Sequence, residues 1–148
     1  MIAYKRLKQG DEATFVQLIH LFAEVFEHET TPSPNAKRLA DLLEQPGFIS
    51  FVAIDNDEIL GGLTAYELPS YYSQQSEVYI YDLAVATRFQ RMGIGKQLIA
   101  ALTEYCKQHN IKTMFVQAHE EDKGAVDFYH KAGGQAEQVV HFNFVVSE

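Results

Sequence analysis

A chain of 148 residues, 47% hydrophobic and 22% charged, has the size and make-up of one globular domain, residues 1–148, with a substantial core. A formal net charge of −8 argues against a nucleic-acid partner, whose phosphates call for a basic surface, and leans toward cationic partners. The single cysteine, Cys106, excludes an internal disulfide and a multi-cysteine metal site.

Residues 2–7 read as a short strand. Asp11 is placed to cap a helix whose apolar residues Phe15, Leu18, Ile19, Phe22, Val25 and Phe26 recur at helical spacing. Ser33 before Pro34 is a cap-then-first-turn signal for a second helix with Leu39, Leu42 and Leu43 on one face, stopped by Pro46-Gly47. Two strands near 48–54 and 58–67 are joined by Asp55-Asn56-Asp57, the composition of a hairpin turn. A long β-branched and aromatic strand is expected over 76–86, and a helix of about four turns from Gly93 to His109. A strand at 113–118, a helix at 123–132 stopped by Gly133-Gly134, and a final strand pattern at 138–146 complete the chain. The order β-α-α-β-β-β-α-β-α-β predicts an α/β fold with a mixed sheet flanked by helices, built around a strand–helix–strand unit at 76–118.

The segment Arg88-Phe89-Gln90-Arg91-Met92-Gly93-Ile94-Gly95-Lys96 lies between a strand and a long helix. The first turn of a helix presents unpaired N–H groups and the positive end of its dipole. Glycines at 93 and 95 let backbone approach a phosphate, and Arg88, Arg91 and Lys96 add positive charge. A dinucleotide fingerprint needs a glycine where Leu98 stands, and a Walker loop needs glycine at 90 and Ser or Thr at 97, both of which are Gln. Gln90-x-x-Gly93-x-Gly95 resembles the pyrophosphate loop of the Gcn5-related N-acetyltransferases, and the element order and length match that superfamily over nearly the whole chain. A second stretch, Ala125-Val126-Asp127-Phe128-Tyr129-His130-Lys131-Ala132-Gly133, is similar to that superfamily's alanine-to-tyrosine motif before a helix stop.

The resemblance implies acetyl-CoA as co-substrate, held by Gln90, Arg91, Met92, Gly93, Ile94, Gly95 and Lys96, with the backbone of Leu83, Ala84 and Val85 meeting its pantetheine arm beside a strand bulge. It implies Tyr129 as the donor to the departing thiolate, where the residue type alone reads equally as a buried aromatic beside Phe128. The stretch Ser76–Val85 is similar, more narrowly, to the corresponding strand of aminoglycoside 3-N-acetyltransferases, as are Leu68-Pro69, Val116-Gln117-Ala118 and Val140-His141-Phe142. His119 and Lys123-Gly124 depart from that pattern at the acceptor side, where an acid and an acidic-proline pair are expected.

An attacking amine must be neutral, so a carboxylate at the cleft has work to do. Asp82, an acid amid Ile80, Leu83 and Val85, is the leading base; its bland counterpart is a solvated edge carboxylate. Glu77 ranks second, because five residues of unbroken strand would turn it to the opposite face, which a bulge between them would reverse. Five of the eight tyrosines lie between 66 and 81, and Tyr81 joins His119 and Glu120 as an acceptor-side residue. Acids at 24, 27, 29, 121 and 122 read as a site for further ammonium groups or as plain solvated charges. Cys106 falls on the apolar stripe with Leu98 and Leu102, which reads as a packed thiol. The six histidines lack paired metal-ligand spacing, so no metal is expected.

The reading is therefore an N-acetyltransferase for a small-molecule amine acceptor, most simply the 3-amino group of an aminoglycoside, working by direct transfer. Polyamines, protein or peptide amines, and a non-catalytic acetyl-CoA-binding module are the alternatives. With no apolar run near the roughly 18 residues of a membrane helix and no leader-like stretch in Met1–Arg6, the expectation is a cytoplasmic protein without a membrane partner. The family's habit implies a homodimer.

Overall fold

The structure is a computed structural model that describes residues 1–147. The chain divides into two compact units, Met1–Gln117 and Ala118–Glu148, each with its own architecture.

The first unit is a five-stranded sheet in the order β1-β2-β3-β4-β5, formed by β1 (Ala3–Arg6), β2 (Phe48–Asp55), β3 (Glu58–Pro69), β4 (Ser76–Val85) and β5 (Thr113–Val116). The first four strands run antiparallel in sequence order, and β5 lies parallel to β4 after the crossover helix α3 (Ile94–Gln108). That crossover is the expected strand–helix–strand unit. The hairpin between β2 and β3 turns on Asn56 and Asp57, both left-handed at φ 49° and 66°, the type I′ geometry that matches the twist of the flanking strands.

Each face of the sheet has its own core. On one, Leu98 and Leu102 of α3 pack with Ile49, Leu63, Val78 and Ile80, all essentially sealed from solvent. On the other, α1 (Glu12–Val25) and α2 (Ala36–Glu44) bring Phe15, Leu18, Phe22 and Leu39 against Val52, Ile59 and Ala84. Gly62 permits that second contact: a Cβ there would lie 2.5 Å from Leu18 Cδ1 and 2.8 Å from the Phe51 carbonyl oxygen.

Both expected helix caps are corrected in detail. Asp11 occupies the cap position of α1 but makes no side-chain cap bond, because its carboxylate turns back to the Lys8 N–H (2.8 Å) and Lys5 Nζ (3.1 Å). The second helix starts later than Ser33-Pro34: Asn35 caps it, its side chain accepting the Arg38 N–H at 3.1 Å.

The second unit holds one helix, α4 (Lys123–Lys131), capped by Asp122, whose side chain accepts the Ala125 N–H at 3.1 Å. Gly133, at φ 101°, ends it. The expected strand at 138–146 does not form: residues 135–147 carry no helix or strand, and Val139, Val140, Phe142, Phe144, Val145 and Val146 are exposed. A β-rich composition makes a strand only where a second backbone supplies ladder hydrogen bonds, and none is paired with this segment.

Replacing Gly62 with valine is expected to destabilise the protein by ~1–3 kcal/mol, since the Phe51 carbonyl is backbone and cannot swing aside. A lowered urea midpoint with an unchanged m-value checks it.

Candidate active site

The loop after β4 makes one 3-10 turn at Thr87–Phe89 and then enters α3 through two left-handed residues, Arg91 (φ 65°) and Gly93 (φ 84°). A non-glycine in that region costs about 1 kcal/mol or more and persists only where its surroundings hold it there. Gly93 is the helix cap without a side-chain cap bond, and nothing lies within 4 Å of where its Cβ would stand. Its conformation, not crowding, demands glycine, and the space before the helix is open. Ile94 and Gly95 are buried as the helix begins, while Arg91, Met92 and Lys96 remain exposed. The N–H groups of the first turn of a 15-residue helix, bare of side chain at Gly93 and with Arg91 and Lys96 alongside, fit a diphosphate. Arg88 is drawn elsewhere, paired with Glu58 on β3. Gln90 reaches back instead of out: its Nε2 donates to the Val85 carbonyl at 3.0 Å, tying the loop to the end of β4.

β4 itself is irregular at one place. Its register with β3 runs Asp82 to Thr64 and then Ile80 to Ala65, so Tyr81 is an extra residue, a β-bulge. The parity of the strand inverts there. Val78 and Ile80 face α3, and after the bulge Leu83 and Val85 do so, while Ala84 belongs to the α1 face. Glu77 and Tyr79 consequently share the α1 face with Asp82, which an unbroken strand would have forbidden. The bulge also coincides with the end of pairing to β5. The parallel ladder stops at Ile80 and Val116, and among the described residues no strand pairs with Asp82–Val85 on that side. Leu83, Ala84 and Val85 lie on this open edge.

Asp82 is half-buried. Burial pushes its carboxyl above the ordinary aspartate value, and the charge of His28, at the exit of α1, works in the opposite direction. Tyr66 on β3 faces the same group: its hydroxyl is raised by burial first, then by Tyr81 and Asp82. An aromatic row crosses the sheet beside it. Tyr66 meets Tyr81 edge to face at 5.8 Å, Tyr81 meets Tyr79 at 6.0 Å, and Tyr79 stacks on Phe115 of β5 at 4.7 Å. The Tyr79 hydroxyl donates to Gln117 Oε1 at 2.8 Å. His28 was not legible as a neighbour of Asp82, since it carries no motif and lies 54 positions away, and Gln117, part of the Val116-Gln117-Ala118 stretch, was given no role of its own.

His119, Glu120 and Tyr129 belong to the second unit. His119 and Glu120 are exposed ahead of α4. Tyr129 is partly buried on α4, edge to face with Phe128 at 5.1 Å, and its carbonyl accepts the Gly134 N–H at 2.9 Å. Cys106 is buried on α3, with its thiol pushed up to about 11 by burial and secondarily by Glu67, so it supplies no thiolate near neutral pH. Among the described residues no group of three or more His, Cys, Asp or Glu is arranged to hold a metal ion, and no helix is long and apolar enough to cross a membrane.

Comparison with known proteins converges on one chemistry. The model of the acetyltransferase (GNAT) family matches residues 15–134. The crystal structure of meta-AAC0020, an aminoglycoside acetyltransferase from an uncultured soil metagenomic sample, in complex with trehalose is 43% identical, covers 99% of this chain and 97% of that one, and superposes with a TM-score of 0.95. The same enzyme in complex with sisomicin gives 42% identity, the same coverage and a TM-score of 0.96. A second aminoglycoside acetyltransferase, HMB0005, also from an uncultured soil metagenomic sample, is 37% identical over 99% of both chains, with a TM-score of 0.94. No curated protein matches the sequence.

For a carboxylate base at Asp82, which must be ionised to accept a proton, kcat/KM for amine acetylation is expected to fall with decreasing pH through a pKa that lies above the free-aspartate value. Removing the opposing charge in His28→Ala should move that acidic limb to higher pH. A limb at unchanged pH in the variant would separate His28 from the site.

Proposed function

The chain belongs to the acetyltransferase (GNAT) family, and we propose that this acetyl-CoA-dependent N-acetyltransferase, acting as one domain over residues 1–148, modifies the 3-amino group of an aminoglycoside by direct transfer in a ternary complex. The observation that carries the reading is the parting of β4 from β5 at the Tyr81 bulge, which leaves an unpaired strand edge running from Asp82 to the loop that opens α3. Relatives at 37–43% identity are aminoglycoside acetyltransferases, one of them solved with sisomicin, which supports an aminoglycoside as acceptor. The net charge of −8 suits a polycation.

Bound acetyl-CoA would supply the acetyl group as a thioester, with its pyrophosphate on the amides and cations of residues 90–96. The protein's own residues then divide the work. Asp82, held on the α1 face, pairs with the acceptor's ammonium and takes its proton, directly or through water, freeing the nitrogen lone pair for attack on the thioester carbonyl carbon. Backbone N–H groups of the open Leu83–Val85 edge stand toward the negative charge that develops on the carbonyl oxygen. Once the C–N bond forms the nitrogen loses a second proton; Tyr129 donates its hydroxyl proton to the sulfur as the C–S bond breaks and is reprotonated by that second proton, so the ammonium gives up two protons, one ending on the thiol and one passing through Asp82 to water. Glu77, His119 and Glu120 are assigned to the acceptor's remaining ammonium groups.

Gly93→Glu, which forces a side chain and a negative charge into a left-handed position at the anion site, is expected to abolish acetyl-CoA binding in calorimetry. Tyr129→Phe should lower kcat about 10²-fold with acetyl-CoA affinity intact. Unchanged turnover removes Tyr129 from the mechanism. Thiol release measured with sisomicin, spermidine and peptides sorts the acceptors, and a preference for spermidine or a peptide over sisomicin would overturn the aminoglycoside assignment.

A further inference from the structure

The bulge that turns Asp82 toward the α1 face also expels Tyr81 from the regular ladder. Tyr81 remains 60% exposed, an unusual place for an aromatic at the middle of a central strand. It is nonetheless held. Tyr66 from β3 and Tyr79 from its own strand meet it edge to face, at interplanar angles of 86° and 73°, so perpendicular rings brace it on two sides. Tyr79 is fixed in turn by stacking on Phe115 and by its hydroxyl bond to Gln117. The result is an aromatic row across β3, β4 and β5, with the Asp82 carboxylate one residue from Tyr81 and Glu77 on the same face.

Resting on the aminoglycoside reading above, we propose that Tyr81, braced by Tyr66 and Tyr79, is the platform on which the ring bearing the reacting amine lies. The chemistry of the row selects such a ligand. An aromatic face is the negative part of the ring's quadrupole and attracts cations and polarised C–H groups. A saturated six-membered ring substituted with ammonium groups offers both: a face of C–H bonds made positive by its substituents, and charged nitrogens at its rim. Stacking the ring on Tyr81 leaves a rim ammonium toward Asp82, and the raised proton affinity of that carboxylate is suited to receiving its proton. Because Tyr66 and Tyr79 already restrict the Tyr81 ring, little side-chain freedom remains to be lost on binding. A linear polyamine presents charges but no ring face, so the platform discriminates between two cations of similar charge.

The test measures sisomicin binding by calorimetry and steady-state kinetics with sisomicin and spermidine, on the wild type, Tyr81→Ala, Tyr81→Leu and Tyr81→Phe. Leucine keeps apolar bulk without an aromatic face, and covers the case in which the alanine variant folds poorly. Tyr81→Ala and Tyr81→Leu are expected to raise the Kd and KM for sisomicin about tenfold, with the KM for acetyl-CoA unmoved and a smaller rise for spermidine. Tyr81→Phe restores the wild-type KM. A sisomicin KM unchanged in both the alanine and leucine variants, or a loss that phenylalanine does not restore, overturns the platform and leaves the aminoglycoside assignment standing. A wild type that neither binds nor acetylates sisomicin overturns both.

Discussion

One residue out of register in β4 organises the active face of this protein. A strand alternates its side chains strictly, so without the bulge at Tyr81 the acid at 82 would share a face with the buried Val78 and Ile80 and be driven into the α3 core. Burying an unpaired carboxylate there would cost several kcal/mol or force its neutralisation. The bulge resolves that conflict. It moves Asp82 to the α1 face and Leu83 and Val85 onto the α3 core, and it coincides with the end of the β4–β5 ladder. The packing of the core and the placement of Asp82 are thus two consequences of the same irregularity.

The loop that opens α3 depends on the strand in a second way. Gln90, which the resemblance assigns to the coenzyme, uses its amide to hold the last carbonyl of β4, so its part is to fix the angle at which the loop leaves the sheet. From there Arg91 and Gly93 complete a left-handed entry that no β-branched residue would tolerate. Arg88, also exposed, is paired with Glu58, while Arg91 and Lys96 are exposed beside the helix start. The positive character of the loop therefore rests on fewer side chains than the sequence offers and more on the helix amides themselves.

Much of this was legible in the linear sequence. The periodicities of α1 and α3 are strong because each buries one face, β2 and β3 read as apolar runs because the sheet is covered on both faces, and the loop at 90–95 declares itself through glycines in a strand-to-helix context. What escaped was whatever depends on a partner distant in the chain. The bulge cannot be read from β4 alone because it is defined by the register against β3. His28 faces Asp82 only after α1 folds onto the sheet, and nothing in Glu27-His28-Glu29 signals it. The segment at 138–146 shows the opposite error: its alternation is that of a strand, but alternation describes a face, and a strand also needs a hydrogen-bonding neighbour. The caps failed for a related reason. Asp11 and Ser33 are good capping residues, yet the side chain of Asp11 was claimed by Lys5 and Lys8, and Asn35 stood closer to the first turn of α2.

The burial of Cys106 has a bearing on the economy of sulfur in such an enzyme. Catalysis by this chemistry liberates one sulfhydryl per turnover into a cleft that must tolerate it, and a protein thiol of comparable acidity would be open to acyl exchange and to mixed-disulfide formation with the spent carrier. With its single cysteine sealed beneath α3 and protonated at any physiological acidity, the polypeptide is chemically silent toward its own by-product.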